Sequence, residues 1–373
     1  MNTAILEFGT CRASPDPLEQ IGFALGWDYA RHRLQPPPPY AEQDSSLRQG
    51  LRAGRATFGL RTLEPNRAVR QWLRLRLHAW LRGRSVELFQ VTPNYLRQIE
   101  VGHCPITRIP LPLDAPLRGD DSIDRVRNDA GYAAGNLAMM SMKANHAKAA
   151  HGFRSARQMA ERAAACERGA PNPRLPHGVA GLTASQWQRV STLCSFVEPL
   201  CHEEASALPL HVLPPNRLRL FNPAQALQAF VSRQLLVPGW SQRCARFEDL
   251  LNGKELKRDF RAFVIALLPR VLAAGALAAP IAVRWAIEDA WANGLVQKRW
   301  LAFAGPLGAA DCEALVQKAA ARRLATTRVE VMDPGLATDG WNLDSRGYVV
   351  DENRPDAPAR AAASQLTLAL LPP

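Results

Sequence analysis

Arginine is the residue type in this chain whose number and spacing point most directly to chemistry. Of 46 lysines and arginines 40 are arginine, and they stand against 34 acids for a formal net charge of +12 at pH 7. A guanidinium presents a planar fork of donors that matches phosphate oxygens, so such a surplus points to polyanions, nucleic acid first. A GC-rich genome would favour arginine over lysine, but it would not create the excess charge. The density peaks from Arg48 to Arg97, with eleven arginines, no lysine, and only Glu64, Glu87 and nearby Glu100 as acids. Inside it, RAVRQWLRLRLHAWLRGR (67–84) places Val69, Trp72, Leu73, Leu77, Trp80 and Leu81 at helical spacing on one face. Arg70, Arg74 and Arg82 fall largely opposite. Arg67, Arg70, Arg74, Arg82 and Arg84 are therefore candidate phosphate contacts, and the solvated face of a core helix explains the same pattern.

Other reactive side chains say less. The seven cysteines are scattered, odd in number and never in a C-x-x-C pair, so a disulfide framework or four-cysteine zinc site is not expected. Cys194 and Cys201 share a helical face and read as core. Cys201-His202-Glu203-Glu204 has the residue types of a metal cluster, but it lacks a complementary pair elsewhere and reads as surface. Asp120-Asp121 reads as a solvated turn. The acids from Glu330 to Asp356 lack the D-x-D-x-D-G order of a calcium loop. There is no P-loop, G-x-G-x-x-G, G-x-S-x-G or H-E-x-x-H.

The elements that must position these residues are mostly helical. A helix over 18–33 is expected to end at the extended run Pro36 to Pro39. Further helices are expected over 67–84, 153–168, 185–201, 223–236, 254–268, 270–279, 281–302 and 310–324. Thr183-Ala-Ser-Gln186 reads as a capped helix start. The Pro/Gly-rich break 169–181 reads as a domain boundary, and TTRVEVMDP (326–334) as a strand. The apolar stretch 262–283 carries Arg270 at its centre, which disfavours a membrane span, so buried helices are expected there. The N-terminus shows no secretory pattern. This predicts four regions: an Arg-rich helical 1–97, a distinct 98–168, a helical bundle 182–325, and a strand with an acidic tail at 326–373. A cytoplasmic protein is expected.

The segment His103 to Lys148 behaves differently. Cys104-Pro-Ile-Thr turns, Ile109 to Leu111 runs extended, and Ser122 to Val126 is a short strand. That strand points Ile123 and Arg125 one way and Asp124 the other. Asn128 to Tyr132 and Gly135-Asn136 are turns, and 137–148 reads as a helix.

This order resembles the HNH (ββα-metal) nuclease family over about residues 98–152. The resemblance is carried by Cys104-Pro-Ile-Thr with Pro110-Leu111, Ser122-Ile-Asp124-Arg125, Gly131-Tyr132 with Asn136, and Ala144-Asn145 with Lys148. It implies a small α+β module embedded in a predominantly α-helical chain. It also implies metal-dependent phosphodiester hydrolysis, with Asp124 and Asn145 as metal ligands, Asn136 orienting the base, and His146 beside the helical ligand position. Oxygen donors of this kind suit Mg²⁺ or Mn²⁺. Arg125 stands where the family carries its general-base histidine, and a guanidinium stays protonated, so it can grip a phosphate but not activate water. Either His103, His146 or His151 takes that role, or the unit binds nucleic acid without cleaving it. Lys143 and Lys148 join the arginines as phosphate contacts. The expected partner is nucleic acid, DNA before RNA, with a protein partner open for the C-terminal helices and no membrane.

Overall fold

The computed structural model describes residues 16–42, 45–111, 120–169, 178–275, 279–327, 329–333 and 335–349. They divide into two compact units. One holds the described residues up to Arg97 together with Asn342 onward, the other Gln98–Trp341. The region expected as a distinct module and the expected bundle thus fall in one unit.

The first unit is built on α1 (Pro17–Arg31), α2 (Pro38–Glu42), α3 (Ser46–Phe58), α4 (Arg67–Leu81) and α5 (Pro93–Ile99), the last running across the boundary. Polar caps start the long ones. Asp16 accepts from Leu18 N at 2.9 Å with Pro17 at the first helical position, and Asn66 accepts from Val69 N at 3.0 Å. The proline run does not stay extended throughout, because Pro38 opens α2. Helices α1 and α3 meet backbone to backbone. A Cβ on Gly26 would lie 1.9 Å from Leu47 O, and one on Gly50 would lie 1.9 Å from Phe23 O. Around this crossing Leu25, Tyr29, Leu47, Leu51, Val69, Leu73 and Leu77 form the core. Arg76, on the same helix as the candidate contacts, is buried against Asp28 at 2.5 Å and lies over the Trp72 ring.

Among its described residues the second unit contains one antiparallel strand pair, β1 (Asp121–Arg125) and β2 (Leu137–Ser141), with Asp124 opposite Ala138. It continues through α6 (Met142–Lys148), α7 (Phe153–Arg168), α8 (Ala184–Ser195), α9 (His202–Ala207), α10 (Pro223–Gln234), α11 (Trp240–Glu248), α12 (Lys254–Gly275), α13 (Pro280–Ala290), α14 (Gly294–Ala304) and α15 (Ala309–Ala321). The chain is predominantly helical, as expected. The helix expected over 137–148 is a strand followed by a shorter helix, and all five residues of the strand are buried. Residues 254–275 are one helix through Pro269, and 281–302 breaks at Asn293, which caps α14. The expected boundary at 169–181 joins two packed helices, α7 and α8; residues 170–177 lie outside the described residues. The strand expected at 326–334 is not formed by its described residues. Phe247, Phe260, Phe263, Trp291, Trp300 and Phe303 form a buried aromatic cluster with neighbouring centroids 5.1–5.6 Å apart. Edge and tilted packing of such rings adds to the area they bury. Among the described residues no helix is long and apolar enough to cross a membrane.

Candidate functional site

The strand pair and the helix after it bring the resemblance-bearing residues together. Ser141 ends β2 and caps α6 by accepting from Ala144 N at 3.2 Å, so the chain turns directly from strand to helix. Of the alternation on β1, Asp124 takes the inward side and is 7% exposed. Lys148, the last residue of α6, is fully buried, and its Nζ lies 2.8 Å from Asp124 Oδ2. The same ammonium donates to Arg125 O at 2.9 Å and Asn128 Oδ1 at 3.4 Å. Lys148, expected to touch phosphate, is thus an internal cation. Burial pushes the Asp124 carboxyl above the usual carboxylate range, while the Lys148 and Arg125 charges pull it back.

The remaining candidates are tied into the loop between the strands. Arg125 donates to Asn128 O at 3.0 Å and Ala130 O at 2.8 Å, and its guanidinium lies 5.2 Å from the Tyr132 ring centre. Asn136 is fully buried. It accepts from Arg127 N at 2.8 Å and donates to Arg127 O and Gly131 O, both at 3.1 Å. Three bonds to one loop make it a loop closer, and no histidine is among its partners in the described residues. From far along the chain, Trp341 is buried onto this loop. Its indole donates to Ala134 O at 3.1 Å, and its carbonyl accepts from Gly131 N at 2.8 Å. Arg219 lies across Gly135, whose positive φ of 87° a side chain there would contest. Cys194, whose sulfur lies 3.8 Å from Val126 O just after β1, has its thiol pushed up to about 12 by burial and is no nucleophile.

Asn145 is half-buried and donates to Ser122 Oγ at 2.7 Å; His146 and Lys143 are exposed on α6. His103 and His151 each meet an indole edge to face, Trp285 at 5.3 Å and Trp187 at 5.4 Å. The donors present do not suit Mg²⁺ or Mn²⁺. The carboxylate that would carry the charge already faces an ammonium. Among the described residues no three His, Cys, Asp or Glu side chains gather to hold a metal. His202 of the Cys-His-Glu-Glu run is instead hydrogen-bonded to Leu307 O at 2.6 Å.

A second charged centre was not legible. Arg108 grips Asp289 through two 2.7 Å bonds and reaches Glu288 at 3.3 Å. Arg284 lies 2.9 Å from Glu288, and Arg189 donates to Ile106 O at 3.0 Å. This network fastens the 104–108 turn to α8 and α13. The adjacent acids Glu288-Asp289, with Arg284 one turn before Glu288 in a largely apolar helix, were its signal in the sequence.

The arginines of 67–84 divide. Arg84 donates to Arg346 O at 2.6 Å and stacks 3.6 Å from the Tyr348 ring centre, and Arg82 reaches back to His78 O at 3.3 Å. Arg67 and Arg74 have interactions within the chain, and Arg70 is half-buried. Leu75, Arg76, Ala68 and Ala79 are buried too, so α4 offers a narrower outer face than its pattern predicts. The exposed arginines of this unit include Arg31, Arg52, Arg55 and Arg61, on or beside α1 and α3. No family model, curated protein or solved structure matches the chain.

Proposed function

We propose that this chain is a nucleic-acid-binding protein, DNA before RNA, whose strand–strand–helix unit serves as a scaffold without phosphodiesterase activity. The observation that carries the reading is the Lys148 ammonium 2.8 Å from the Asp124 carboxylate, both buried. A catalytic carboxylate of this type must face solvent, substrate or a metal ion; here it faces a fixed cation of the chain itself. With Arg125 unable to accept a proton and already engaged with two carbonyls, no group among the described residues beside Asp124 is placed to activate water. The net charge of +12 supports the binding half, since neutralising phosphates releases condensed counterions. The cytoplasm is the setting this reading assumes.

The test uses the full chain with supercoiled plasmid in Mg²⁺ or Mn²⁺, and a labelled duplex titrated over a range of salt. Expected are no nicking above buffer and an affinity that falls steeply with salt. Nicking that vanishes in Asp124→Ala overturns the silent scaffold. Affinity unchanged between about 50 and 200 mM salt overturns nucleic-acid binding.

A further inference from the structure

The α1–α3 pair carries a surface that the reading above does not use. Phe23, Trp27 and Arg31 lie one turn apart along α1. Phe23 and Trp27 are stacked at 6.4 Å with a 26° tilt, and Phe58 at the end of α3 meets Trp27 edge to face at 5.1 Å. Phe23 is 40% exposed, and the other two rings are half-buried. The backbone places cations around them. Arg55 lies one turn before Phe58. Arg61 N bonds to Phe58 O at 2.7 Å, and Leu63 N to Arg31 O at 2.8 Å, which folds the 58–63 connection back to the end of α1. Arg31, Arg55 and Arg61 are all exposed, and none of their guanidiniums is paired with a described residue. Of the acids on these elements, Asp28 is held by Arg76, while Glu19 and Glu64 stand exposed toward the two ends.

We infer that the Phe23–Trp27–Phe58 ladder with its Arg31, Arg55 and Arg61 rim is a stacking platform for single-stranded nucleic acid. Bases have π faces that stack on such rings whatever their sequence, and guanidiniums follow the phosphates beside them. Three unpaired cations beside partly exposed rings favour a polyanion over an apolar partner. The platform reads faces and phosphates and leaves the 2′-hydroxyl unread, so DNA and RNA strands bind alike. The glycine crossing at Gly26 and Gly50 holds the two helices in the close register that brings Trp27 and Phe58 together. The inference adds a second surface to the proposed nucleic-acid binding and does not depend on the strand–strand–helix unit.

The test is fluorescence anisotropy of labelled dT15 and rU15 with the full chain, set beside a 15-base-pair duplex. The variants are Phe23→Leu/Trp27→Leu and Arg31→Ala/Arg55→Ala/Arg61→Ala, with circular dichroism melts to confirm folding. The ring variant should bind both single strands on the order of tenfold more weakly and the duplex within about threefold of the original. The arginine variant should lower the single-strand salt slope by about two, roughly 0.7 for each phosphate left without its guanidinium. Should the double ring variant fail to fold, Phe23→Leu alone, at the most exposed ring, should weaken dT15 by about threefold. A folded ring variant that binds dT15 unchanged overturns the platform. So does light scattering that shows a dimer dissolved by the ring substitutions, since a second copy would then cover this face. An original chain that binds dT15 but no duplex would confine the proposed nucleic-acid binding to this platform. A chain that binds the duplex but neither single strand would overturn the platform and leave the reading of the previous subsection standing.

Discussion

The strand–strand–helix unit and the α1–α3 pair spend their positive charge in opposite directions. In the first, Lys148 is buried against Asp124 and Arg125 clamps two carbonyls, so the cations hold the fold together. In the second, glycines bring the backbones into contact without charged help, and Arg31, Arg55 and Arg61 point to solvent. Net charge favours a polyanion as partner, but it does not say which cations a phosphate can reach. A lysine or arginine held by partners inside the fold, as Lys148 is by Asp124 and Arg125 O, is structural, whereas the same residue types beside exposed rings are available for binding.

The largest effect is expected from breaking the internal pair. Lys148→Met leaves a buried carboxylate without its counter-ion and should cost about 3–5 kcal/mol in urea unfolding. The double variant Asp124→Asn/Lys148→Met should lose less than the two single losses added, because neither partner is then stranded. The pH dependence has a definite sign. Burial already raises Asp124, and removing the lysine removes the main opposing charge, so the folded state holds a proton more tightly than the unfolded one. Stability of Lys148→Met should therefore rise as pH falls from 7 toward 5, and its deficit against the original chain should shrink. Additive losses, or a deficit that grows on acidification, would show that the pair does not act as a unit.

Much of this is legible in the sequence and some is not, for identifiable reasons. Capped, strongly periodic helices such as 17–31, 67–81 and 184–195 stand out, because cap and apolar stripe agree there. Leu137 to Ser141 reads as helix yet forms a strand, because a short apolar run buried on both faces has no period that separates the two. Pro269 is expected to end a helix, yet 254–275 continues through it, with Phe260, Phe263 and Leu267 packed in the core before it. The inward choice for Asp124 is one of two open alternatives, and only packing decides between them. Nothing local in Lys148 marks it as buried. That follows from Asp124 lying 24 residues earlier on the facing strand, just as the Trp341 plug on the 130–136 loop depends on a contact 207 residues away. The Gly22/Gly26 and Gly50/Gly54 pairs, four apart on two helices, are visible in the sequence, but only the crossing shows their purpose.

A smaller effect is expected at that crossing. Gly50→Ala would place a methyl 1.9 Å from Phe23 O, a backbone atom that can retreat only if the helices part. Overpacking of this kind costs about 1–3 kcal/mol. Gly59→Ala meets no atom within 4 Å, though its φ of 51° strains any side chain, so it serves as the control for reduced backbone freedom without crowding. Hydrogen exchange should show faster opening of α1 and α3 in Gly50→Ala, with β1, β2 and α6 unchanged. Equal protection of α1 and α3 in the Gly50 and Gly59 variants would mean the close approach does not hold the pair.

The smallest effects draw the comparison most sharply, because they ask one residue type to behave in two ways. Arg125→Ala removes bonds to Asn128 O and Ala130 O and should cost about 1–2 kcal/mol of stability. Its side chain is committed to the loop, so the salt slope of nucleic-acid binding should not move. Arg55→Ala removes an exposed guanidinium and should change stability by less than about 0.5 kcal/mol. It should reduce the single-strand salt slope by about 0.7, the share of one phosphate. Urea unfolding and salt-dependent anisotropy on the same two preparations separate the roles. If Arg125→Ala lowers the slope while leaving stability intact, its guanidinium leaves the loop carbonyls for phosphate. The inward and outward cations would then be one population, and the buried pair at Asp124 would no longer distinguish a scaffold from a binding site.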